Sequence, residues 1–318
     1  MHVVVTGGAG FVGSNLVDAL LALGHRVVSI DNFTTGFDRH LDGARRATSF
    51  ESVRCDLFLE PDRLVELFAG ADAVVHLAAN ADVRFGWDAP RRDLEQNVIV
   101  THNVLEAARR AGVPRVLFSS TGSVYGETKV IPTPEDAPFP AQTSLYGASK
   151  AAAEGYLAAY AEAGTVQATV FRFVSVLGPR YSHGHVIDFV RQLTRDGGRL
   201  TILGDGTQRK SYMHVSDCVA AVIGELTSEE RFQVLNLGVD GYCTVTESAK
   251  WIAARLGVEP ELHFTGGDRG WIGDNPFIFL DTSAARARGW QPRHGIRDAV
   301  ESTVDYLLAN PWIVDATA

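Results

Sequence analysis

Two residues of the sequence have the types and the spacing of an oxidation–reduction site. Tyr146 and Lys150 are four positions apart in the alanine-rich segment YGASKAAAE, and this spacing places both side chains on one face of a helix. An ammonium group beside a phenol stabilises the phenolate, which lowers the pKa of the tyrosine from about 10 toward neutrality. A phenolate is a general base that can remove a hydroxyl proton while hydride leaves the same carbon. We therefore predict that Tyr146 is the catalytic base and that Lys150 tunes it.

A second pair with the same spacing, Tyr125 and Lys129, lies upstream. A glycine follows this tyrosine and Val-Ile-Pro follows the lysine, so the segment is predicted to form a turn in which the pair does not meet. The helical context therefore favours Tyr146. Residues 119–123, SSTGS, end a predicted strand, and the hydroxyl of Thr121 can share the substrate proton with Tyr146. A plain loop rich in serine and threonine is the alternative for this stretch.

A glycine-rich segment near the N-terminus has the pattern of a dinucleotide-binding loop. Residues 6–13, TGGAGFVG, follow an apolar strand and open a helix. Gly7 or Gly8 permits the tight turn, Gly10 lets the backbone approach a pyrophosphate, and the last glycine lets helix and strand pack closely. The pyrophosphate then lies at the helix N-terminus. The residues assigned to this loop are Gly7, Gly10, Phe11, Val12 and Gly13.

An acid ends the second predicted strand, 18 residues after Gly13. The Asp31 carboxylate can accept hydrogen bonds from a ribose 2′-hydroxyl and repels a 2′-phosphate, which favours NAD over NADP. Capping of the following loop is the alternative for Asp31. Asp56 and Leu57, after the third strand, are predicted to lie at the adenine edge. His76, at the end of the fourth strand, is interpreted as a buried histidine with satisfied hydrogen bonds.

The first half of the sequence alternates short β-rich segments with longer helical ones. The predicted strands are residues 2–6, 26–30, 51–54, 73–77, 115–119 and 168–172, and the predicted helices are residues 11–23, 61–68, 94–111 and 145–163. Segments such as VVV and VLF are apolar throughout, as expected for strands that are buried on both faces. The alternation predicts an α/β fold with a doubly wound parallel sheet of the Rossmann type.

The second half is punctuated by glycines and has shorter helical periods. It predicts a smaller α/β cap over the carboxyl ends of the strands, where ligands bind in such sheets. Residues 214–223 and 234–237 are predicted to form a helix and a strand that return to the main sheet, so the cap is discontinuous. The predicted NAD-binding domain is therefore residues 1–173 and 212–245, and the predicted substrate cap is residues 174–211 and 246–318.

Composition and charge exclude several classes of protein. The chain has 318 residues, a formal net charge of −9 and no basic stripe, which argues against a nucleic-acid partner. No apolar run approaches the ~20 residues of a membrane helix, and the N-terminus lacks the basic segment of a signal peptide. The three cysteines, Cys55, Cys218 and Cys243, are scattered in the way typical of thiols in a reducing compartment. We therefore expect a cytoplasmic protein with a small-molecule ligand.

Taken in order, the motifs resemble the extended short-chain dehydrogenase/reductase family. The matching segments within residues 2–180 are TGGAGFVG, IDNFTTG, CDL, HLAA, FSSTGSVYG, YGASK and FRFVSVLGPR, and the likeness continues with LTILGDGTQRKSYMHVSDC and GGDRGWIGD. The resemblance implies NAD as the cofactor and a homodimer as the assembly. The further cofactor contacts that it implies are Asn32, Thr35, Gly36, Leu77, Ala78, Ala79, Asn97, Ser119, Tyr146, Lys150 and Phe173.

Within that family the chain is most similar to nucleotide-sugar 4-epimerases that act on UDP-hexoses. The discriminating positions are Gly122 and Ser123, because related dehydratases resemble STDEVYG at this point and uronate decarboxylases resemble STSEVYG. The acid of those enzymes assists steps beyond the first oxidation. Without it, the simplest chemistry is removal of hydride from C4 of the sugar and its return to the opposite face. In the implied mechanism Tyr146, aided by Thr121, takes the C4 hydroxyl proton.

The family likeness also implies that the cap anchors the nucleotide diphosphate. The substrate contacts that it implies are Ser123, Ser175, His185, Val186, Thr201, Leu203, Arg209 or Lys210, Arg269 and Asp274. A solvated surface charge is the alternative for each arginine. Many members carry Asn where this chain has Ser175, and Arg84, after the HLAA strand, is placed to reach a C6 carboxylate. These two features give UDP-glucuronate weight beside UDP-glucose, and the sequence leaves both open.

Two other hypotheses compete with the 4-epimerase. One is a related sugar-nucleotide oxidoreductase, dehydratase or decarboxylase, and the other is a non-catalytic dinucleotide sensor on the same fold. The set of Thr121, Tyr146 and Lys150 disfavours the sensor, which needs no poised base. His183 and His185 have a spacing that suggests a metal, but a third ligand is not nearby, so no metal site is predicted.

Overall fold

The computed structural model describes residues 1–81, 86–138, 141–271 and 273–317. Within these ranges the strands are β1 (His2–Thr6), β2 (Arg26–Asp31), β3 (Phe50–Arg54), β4 (Ala73–His76), β5 (Arg115–Thr121), β6 (Gln167–Phe173), β7 (Ser175–Leu177), β8 (Arg199–Ile202), β9 (Arg209–Lys210), β10 (Tyr212–His214), β11 (Phe232–Leu237), β12 (Cys243–Thr244) and β13 (Glu261–Phe264). The α-helices are α1 (Phe11–Ala22), α2 (Arg63–Leu67), α3 (Pro90–Asp93), α4 (Val100–Ala111), α5 (Leu145–Glu162), α6 (His185–Arg195), α7 (Val215–Gly224), α8 (Val245–Leu256), α9 (Ser283–Ala287), α10 (Ile296–Ala309) and α11 (Pro311–Ala316). Shorter 3₁₀ turns cover Asp38–Leu41, Ala44–Arg46 and Gly122–Tyr125, and Leu94–Ile99 forms a π-helix.

The largest sheet of the described residues has the strand order β11-β6-β5-β4-β1-β2-β3, and every pairing in it is parallel. This order is that of a doubly wound Rossmann-type sheet, so the predicted fold class is confirmed. The chain leaves β1 toward β2 on one side and later returns to β4 on the other. Ligands bind in such sheets at the crevice between these two strands, at their carboxyl ends.

Apolar side chains of the sheet divide between two buried layers, one on each face. β1 shows the rule, because Val3 and Val5 join one layer and Val4, between them, joins the other. Successive side chains of a strand point to opposite faces, so a strand buried on both sides must be apolar throughout. Helices α4 and α5 pack on the layer of Val4, whereas α1, α7 and the helices of the second half pack on the other.

The second half of the chain combines helices with short strand pairs. β8 pairs with β13, β9 with β12, and β7 with β10, while α6, α8 and α10 pack against one another. This part contacts helix α1. Asn15 of α1 donates to the Pro179 carbonyl at 3.0 Å, and Arg180 pairs with Asp18 of α1 at 2.6 Å. The loop between β7 and α6 is therefore bonded to α1, the helix that follows the glycine-rich segment.

Most predicted elements lie within one or two residues of their observed bounds, with two corrections. The segment predicted as helix 94–111 starts at Pro90 and passes through the π-helix Leu94–Ile99 before α4 begins. The segment predicted as helix 61–68 is shorter, since α2 covers only Arg63–Leu67. The predicted returning helix and strand are α7 and β11, and β11 does join the main sheet beside β6. No helix among the described residues is long and apolar enough to cross a membrane.

Candidate active site

The glycine-rich segment forms a cradle between β1 and α1. Gly7 has a φ of +72°, and a Cβ on it would lie 2.7 Å from the Ala78 nitrogen, so only glycine fits where the ends of β1 and β4 meet. A Cβ on Gly13 would lie 2.1 Å from the Gly7 carbonyl oxygen. Gly10 caps α1 without a side-chain hydrogen bond, and the N–H groups of Phe11 and Val12 belong to the turn that has no acceptor within a helix. A pyrophosphate fits this cradle.

Asp31 ends β2 beside this loop and is 8% exposed. Its carboxylate accepts from the Ala9 N–H at 3.0 Å and from the Phe33 N–H at 2.8 Å, so the loop-capping alternative is realised. Burial raises the pKa of Asp31, and the two backbone hydrogen bonds oppose that shift. A carboxylate has about four acceptor positions, so capping and a bond to a ribose hydroxyl are compatible. Gly36 is close, since a Cβ on it would lie 3.0 Å from the Asp31 oxygen, and Thr35 is exposed nearby.

The segments after β2 and β3 are joined by one side-chain hydrogen bond. Asn32 donates to Asp56 at 2.9 Å, and the other Asp56 oxygen accepts from the Phe58 and Leu59 N–H groups. The Leu57 side chain is buried in the apolar core, so only the backbone of this residue faces the end of the sheet. Asp56 is therefore already fixed in direction before any ligand binds.

His76, at the end of β4, belongs to a directed chain of hydrogen bonds. The Thr101 hydroxyl donates to the Asn97 carbonyl at 2.5 Å, so it accepts from His76 Nε2 at 3.1 Å. His76 Nδ1 then accepts from the Thr6 hydroxyl at 2.7 Å. Burial, with a smaller effect of Lys150, lowers the pKa of His76 to about 3, and the ring stays neutral. The interpretation of His76 as a buried histidine with satisfied hydrogen bonds is confirmed.

The π-helix Leu94–Ile99 positions Asn97 inside the protein. Its side-chain oxygen accepts from the Asn80 N–H at 2.9 Å, and its nitrogen donates to the Ser149 hydroxyl at 2.9 Å. Ser149 in turn donates to the Tyr146 carbonyl at 2.8 Å. π-turns inside helices are frequent at functional sites, and this one connects the end of β4 with the first turn of α5. Leu77, Ala78 and Ala79 lie between these groups and Gly7.

Thr121, Tyr146 and Lys150 meet at the carboxyl end of β5. Thr121 caps the 3₁₀ turn Gly122–Tyr125, and its oxygen accepts from the Ser123 N–H at 3.1 Å. The Thr121 side chain also lies beside the Tyr146 phenol, where hydrogen bonding from Thr121 would favour the phenolate. Lys150 is 2% exposed, donates to the Ser119 carbonyl at 2.8 Å and lies 4.6 Å from the centre of the Phe118 ring. The structure thus brings the predicted catalytic set together.

The predicted lowering of the Tyr146 pKa is wrong for this geometry. Burial raises the pKa of Tyr146 to about 12, Asp93 adds to the rise, and only the hydrogen bond with Thr121 opposes it. Burial also lowers the pKa of Lys150 to about 7, against the raising effects of Glu154 and Asp93. Both shifts have one physical cause, because a low-dielectric environment disfavours the phenolate and the ammonium alike. The Lys150 ammonium is directed at the Ser119 carbonyl.

The upstream pair behaves as predicted. Tyr125 is 1% exposed and Lys129 is exposed, on a turn in which Gly126 has a φ of +56°. The Tyr125 hydroxyl donates to Asn236 at 2.8 Å and accepts from Arg172 at 2.7 Å. Tyr125 is therefore bound into the interior and is not paired with Lys129.

Two basic side chains of the second half of the chain, Lys210 and Arg269, each pair with an acid. Lys210 donates to Asp274 at 2.7 Å and to the Asn275 carbonyl at 2.7 Å. Arg269 pairs with Glu127 at 2.5 Å and donates to the Asp274 carbonyl at 3.4 Å. Since Glu127 follows the turn of Thr121, the segment around Arg269 lies against the catalytic strand end.

Arg209 and Lys210 point to opposite faces of β9, as successive strand residues do. The Arg209 guanidinium lies 3.9 Å from the centre of the Phe277 ring and 5.3 Å from that of Tyr242. Arg209 is exposed, and Tyr242 is 47% exposed. Of the two alternatives left open by the sequence, Lys210 is therefore the residue beside Asp274.

His185 is engaged inside the cap. Its ring stacks on Tyr212 with centres 4.7 Å apart and its Nε2 bonds the Ser248 hydroxyl at 2.9 Å. Burial, with a smaller effect of Lys210, lowers the pKa of His185 to about 3. Val186 is fully buried. Contacts of Val186 with a ligand must therefore come from its backbone at the start of α6, whereas the His185 ring is half-buried.

The remaining predicted cofactor and substrate residues lie at different depths. Phe173 is the register partner of Thr121 across β5 and β6, and Ser175 is exposed just beyond it. Thr201 lies in β8, and its backbone N–H donates to the Gln192 side chain of α6. The Leu203 side chain, just after β8, is 50% exposed. Arg84 lies outside the described residues. Among the described residues, no group of three His, Cys, Asp or Glu side chains is arranged to hold a metal ion.

Gly122 has no room for a side chain. A Cβ on it would lie 2.8 Å from Ile278 Cγ2, 3.3 Å from the Phe173 carbonyl oxygen and 3.5 Å from Leu280. Contacts under 3.0 Å require something to shift. The position where related dehydratases resemble an acid is thus closed here by an apolar side chain of the cap.

Sequence reasoning missed a buried ion pair directly under the site. Arg172 and Glu154 pair at 2.7 Å with side chains 4% and 7% exposed, and the Ser120 hydroxyl donates to the same carboxylate. Two signals were present in the sequence. Glu154 lies four residues after Lys150, and Arg172 is a lone charge in the otherwise apolar segment of β6.

The chain belongs to the NAD-dependent epimerase/dehydratase family, whose model matches residues 3–238. It is 36% identical to UDP-glucose 4-epimerase of Mycolicibacterium smegmatis, over 96% of this chain and 98% of that protein. It is 33% identical to UDP-glucuronic acid decarboxylase 4 of Arabidopsis thaliana, over 94% of this chain and 67% of that protein. It resembles the crystal structure of UDP-glucuronic acid 4-epimerase from Bacillus cereus in complex with UDP-glucuronic acid and NAD. That likeness has a TM-score of 0.88 at 26% identity and covers 97% of this chain and 99% of the other.

These findings confirm the resemblance to the epimerase branch of the family. The protein is an NAD-dependent enzyme of the epimerase type, and its cofactor is NAD. The prediction of an isomerase is confirmed with it. Its relatives are named for different UDP-sugars, and several of them are decarboxylases by name.

Proposed function

We propose that the enzyme is a UDP-sugar 4-epimerase, which converts UDP-glucose or UDP-glucuronate to the galacto epimer. The observation that carries the proposal is the convergence of Thr121, Tyr146 and buried Lys150 at the carboxyl end of β5. The cradle and the Asp31 carboxylate suit the pyrophosphate and the adenosine ribose of NAD.

Thr121 and Tyr146 form the proton path to the sugar. Since the Thr121 oxygen accepts from the Ser123 N–H, the geometry favours its own proton pointing outward, to Tyr146 or to the C4 hydroxyl. Tyr146 takes the C4 hydroxyl proton and later returns it, while Lys150 holds positive charge near the phenol and near the ribose of the cofactor. Bound NAD would supply the hydride acceptor for C4 and a positive charge that favours the phenolate.

The cap holds the nucleotide while the sugar turns over between the two hydride steps. Lys210 and Arg269 supply positive charge for the diphosphate, and each already has an acidic partner in Asp274 or Glu127. The backbone at the start of α6 and the segment around Leu203 complete the proposed nucleotide site. This arrangement supports the proposed division into a cofactor domain (1–173 and 212–245) and a cap (174–211 and 246–318).

The group at C6 of the sugar is the open part of the substrate. Ser175 is shorter than the Asn of many relatives and leaves space near the sugar, and Arg84 offers a cation for a carboxylate. We propose UDP-glucose and UDP-glucuronate as the two candidate substrates. One variant separates them, because Arg84→Met lowers activity on the glucuronate alone if this arginine binds the carboxylate.

A decarboxylase is the second candidate, because several relatives carry that name at 31–33% identity. Two features of this chain speak against it. Ser123 carries no carboxylate, and Ile278 closes the space at Gly122. Loss of C6 would give a UDP-pentose and carbon dioxide, which mass spectrometry separates from an epimer of unchanged mass.

We also propose a homodimer in the cytoplasm. Ile99 is 36% exposed at the end of the π-helix before α4, and Tyr156 is 44% exposed on α5, so both helices offer apolar surface to a second copy. The three cysteines are free and buried, as expected for a reducing compartment. Light scattering of the purified protein gives the mass of the assembly.

The replacement Tyr146→Phe tests the proposed function, because it deletes only the proton-carrying oxygen. We expect kcat for epimerisation to fall by about 10³-fold or more, with the NAD content of the purified protein unchanged. The NAD content is measured by absorbance after denaturation. Full activity of Tyr146→Phe would contradict the mechanism, and loss of NAD would show that the residue acts through the cofactor site.

A further inference from the structure

The tyrosine that is not the catalytic base, Tyr125, is tied into the interior by two hydrogen bonds. Its hydroxyl donates to Asn236 at 2.8 Å and accepts from Arg172 at 2.7 Å, and the guanidinium lies 4.7 Å from the centre of its ring. A phenol that only filled space in the core would not need its hydroxyl, since phenylalanine has nearly the same shape. The Tyr125 hydroxyl therefore orients the side chains that it bonds, in addition to the space that the ring fills.

Arg172 carries this link to the catalytic helix. Its Nε and Nη2 atoms donate to Glu154 on α5, with the Nη2 bond at 2.7 Å. The Glu154 carboxylate also accepts from the Ser120 hydroxyl. A bidentate arginine–carboxylate pair fixes the relative orientation of its two planes. One buried network thus joins β5, β6 and α5 through Ser120, Glu154, Arg172 and Tyr125.

The network reaches the catalytic groups from two sides. Ser120 directly precedes Thr121, and Tyr125 ends the 3₁₀ turn that Thr121 caps, so the network holds the backbone before and after Thr121. Glu154 lies one helical turn beyond Lys150 on α5, and its charge favours the ammonium form of that lysine. The same few bonds therefore set Thr121 on the strand and Lys150 on the helix relative to each other.

We infer that Tyr125, Arg172 and Glu154 are positioning residues for the proton path, which they align without touching the substrate. The inference rests on the proposed 4-epimerase function. A proton transfer between Thr121, Tyr146 and a sugar hydroxyl requires all three oxygens at hydrogen-bond distance. A small misplacement of the Thr121 turn lowers the rate of the chemical step and leaves the binding of the nucleotide and of NAD unchanged.

The test is Tyr125→Phe in the full-length enzyme, with Tyr160→Phe as the matched control. The control also deletes a hydrogen-bonded phenol hydroxyl, since Tyr160 on α5 donates to Glu106 on α4 at 3.3 Å. Epimerisation is measured at a temperature at which circular dichroism shows all variants folded. We expect Tyr125→Phe to lower kcat by about tenfold or more, with KM and NAD content as in the unmodified enzyme and with Tyr160→Phe unchanged.

A double-mutant cycle on kcat distinguishes loss of this network from a general destabilisation of the protein. Ser120→Ala removes the other hydroxyl that meets the Arg172–Glu154 pair, so its effect on kcat combines with that of Tyr125→Phe less than multiplicatively. Unchanged kcat in a folded Tyr125→Phe, or parallel losses of kcat, nucleotide affinity and NAD, would overturn the inference and leave the proposed function standing. An unmodified enzyme that epimerises no UDP-sugar would overturn the proposed function and this inference with it.

Discussion

Tyr146 and Lys150 lie in surroundings that disfavour charge on both. Burial raises the pKa of the phenol to about 12 and lowers the pKa of the amine to about 7. The phenol is therefore the weaker acid of the two in the folded protein, whereas the two pKa values are similar in water. Single-sequence reasoning supplied the pair and its spacing. It could not supply the direction of these shifts, because burial and the charges of Asp93 and Glu154 arise only when distant segments fold together.

His185 illustrates how one half-buried side chain links stability to pH. Its pKa is about 3 in the folded protein and about 6.5 when exposed, so between these values only the unfolded chain binds the proton. Stability is then complete above pH 6.5 and falls as the pH drops toward 3. From pH 7 to pH 5 this single ring costs about 2 kcal/mol.

We predict that His185→Gln removes that part of the pH dependence, because glutamine can still bond Ser248 and does not titrate. Urea unfolding at pH 7 and pH 5 measures it, and the loss of unfolding free energy between the two should be about 2 kcal/mol smaller in the variant. His102→Gln, at an exposed ring on α4, is the control. An equal loss in His185→Gln and in the unmodified enzyme would show that this ring is protonated in the folded state.

At the level of elements, hydrophobic pattern predicted the strands of the main sheet because each is buried on both faces and is therefore apolar throughout. The π-helix Leu94–Ile99 was not predicted, because hydrophobic periodicity carries no sign of it. It accompanies the hydrogen bonds of Asn97 to the Asn80 N–H and the Ser149 hydroxyl, which form only in the folded protein. The second half was predicted only in outline. Its short strand pairs of two to four residues leave little pattern to detect.

The π-helix gives a prediction at this scale. Thr101→Val keeps the shape of the side chain but leaves the His76 Nε2–H and the Asn97 carbonyl without their shared hydroxyl. Each buried polar group left unpaired costs about 1–3 kcal/mol, so for the two groups together we expect the free energy of unfolding to fall by roughly 2–6 kcal/mol. Thr101→Ser restores the hydroxyl and should restore most of that loss. Chemical denaturation measures the free energy of unfolding of both variants. Equal stability of Thr101→Val and Thr101→Ser would show that these hydrogen bonds do not stabilise the protein.

For the whole molecule, the order of the motifs along the sequence was sufficient to identify the fold and the family, because each motif has a fixed place in a doubly wound sheet. The sugar is not determined in this way. It depends on how the cap closes over the strand ends, and residues such as Lys210 and Arg209 exchange roles with a shift of one position in β9. In this chain Lys210 is the one that faces inward, to Asp274.

The central claim is that the enzyme removes hydride from C4 of a UDP-sugar and returns it to the other face. The most direct measurement is proton NMR of the purified protein incubated separately with UDP-glucose and with UDP-glucuronate, with no cofactor added. We predict that at least one of them gives its 4-epimer with no other product. If only the glucuronate reacts, the pocket is a uronate pocket, and if only the glucose reacts, Arg84 serves another purpose. If neither sugar changes, or if a pentose appears, the account of this site as a 4-epimerase is contradicted.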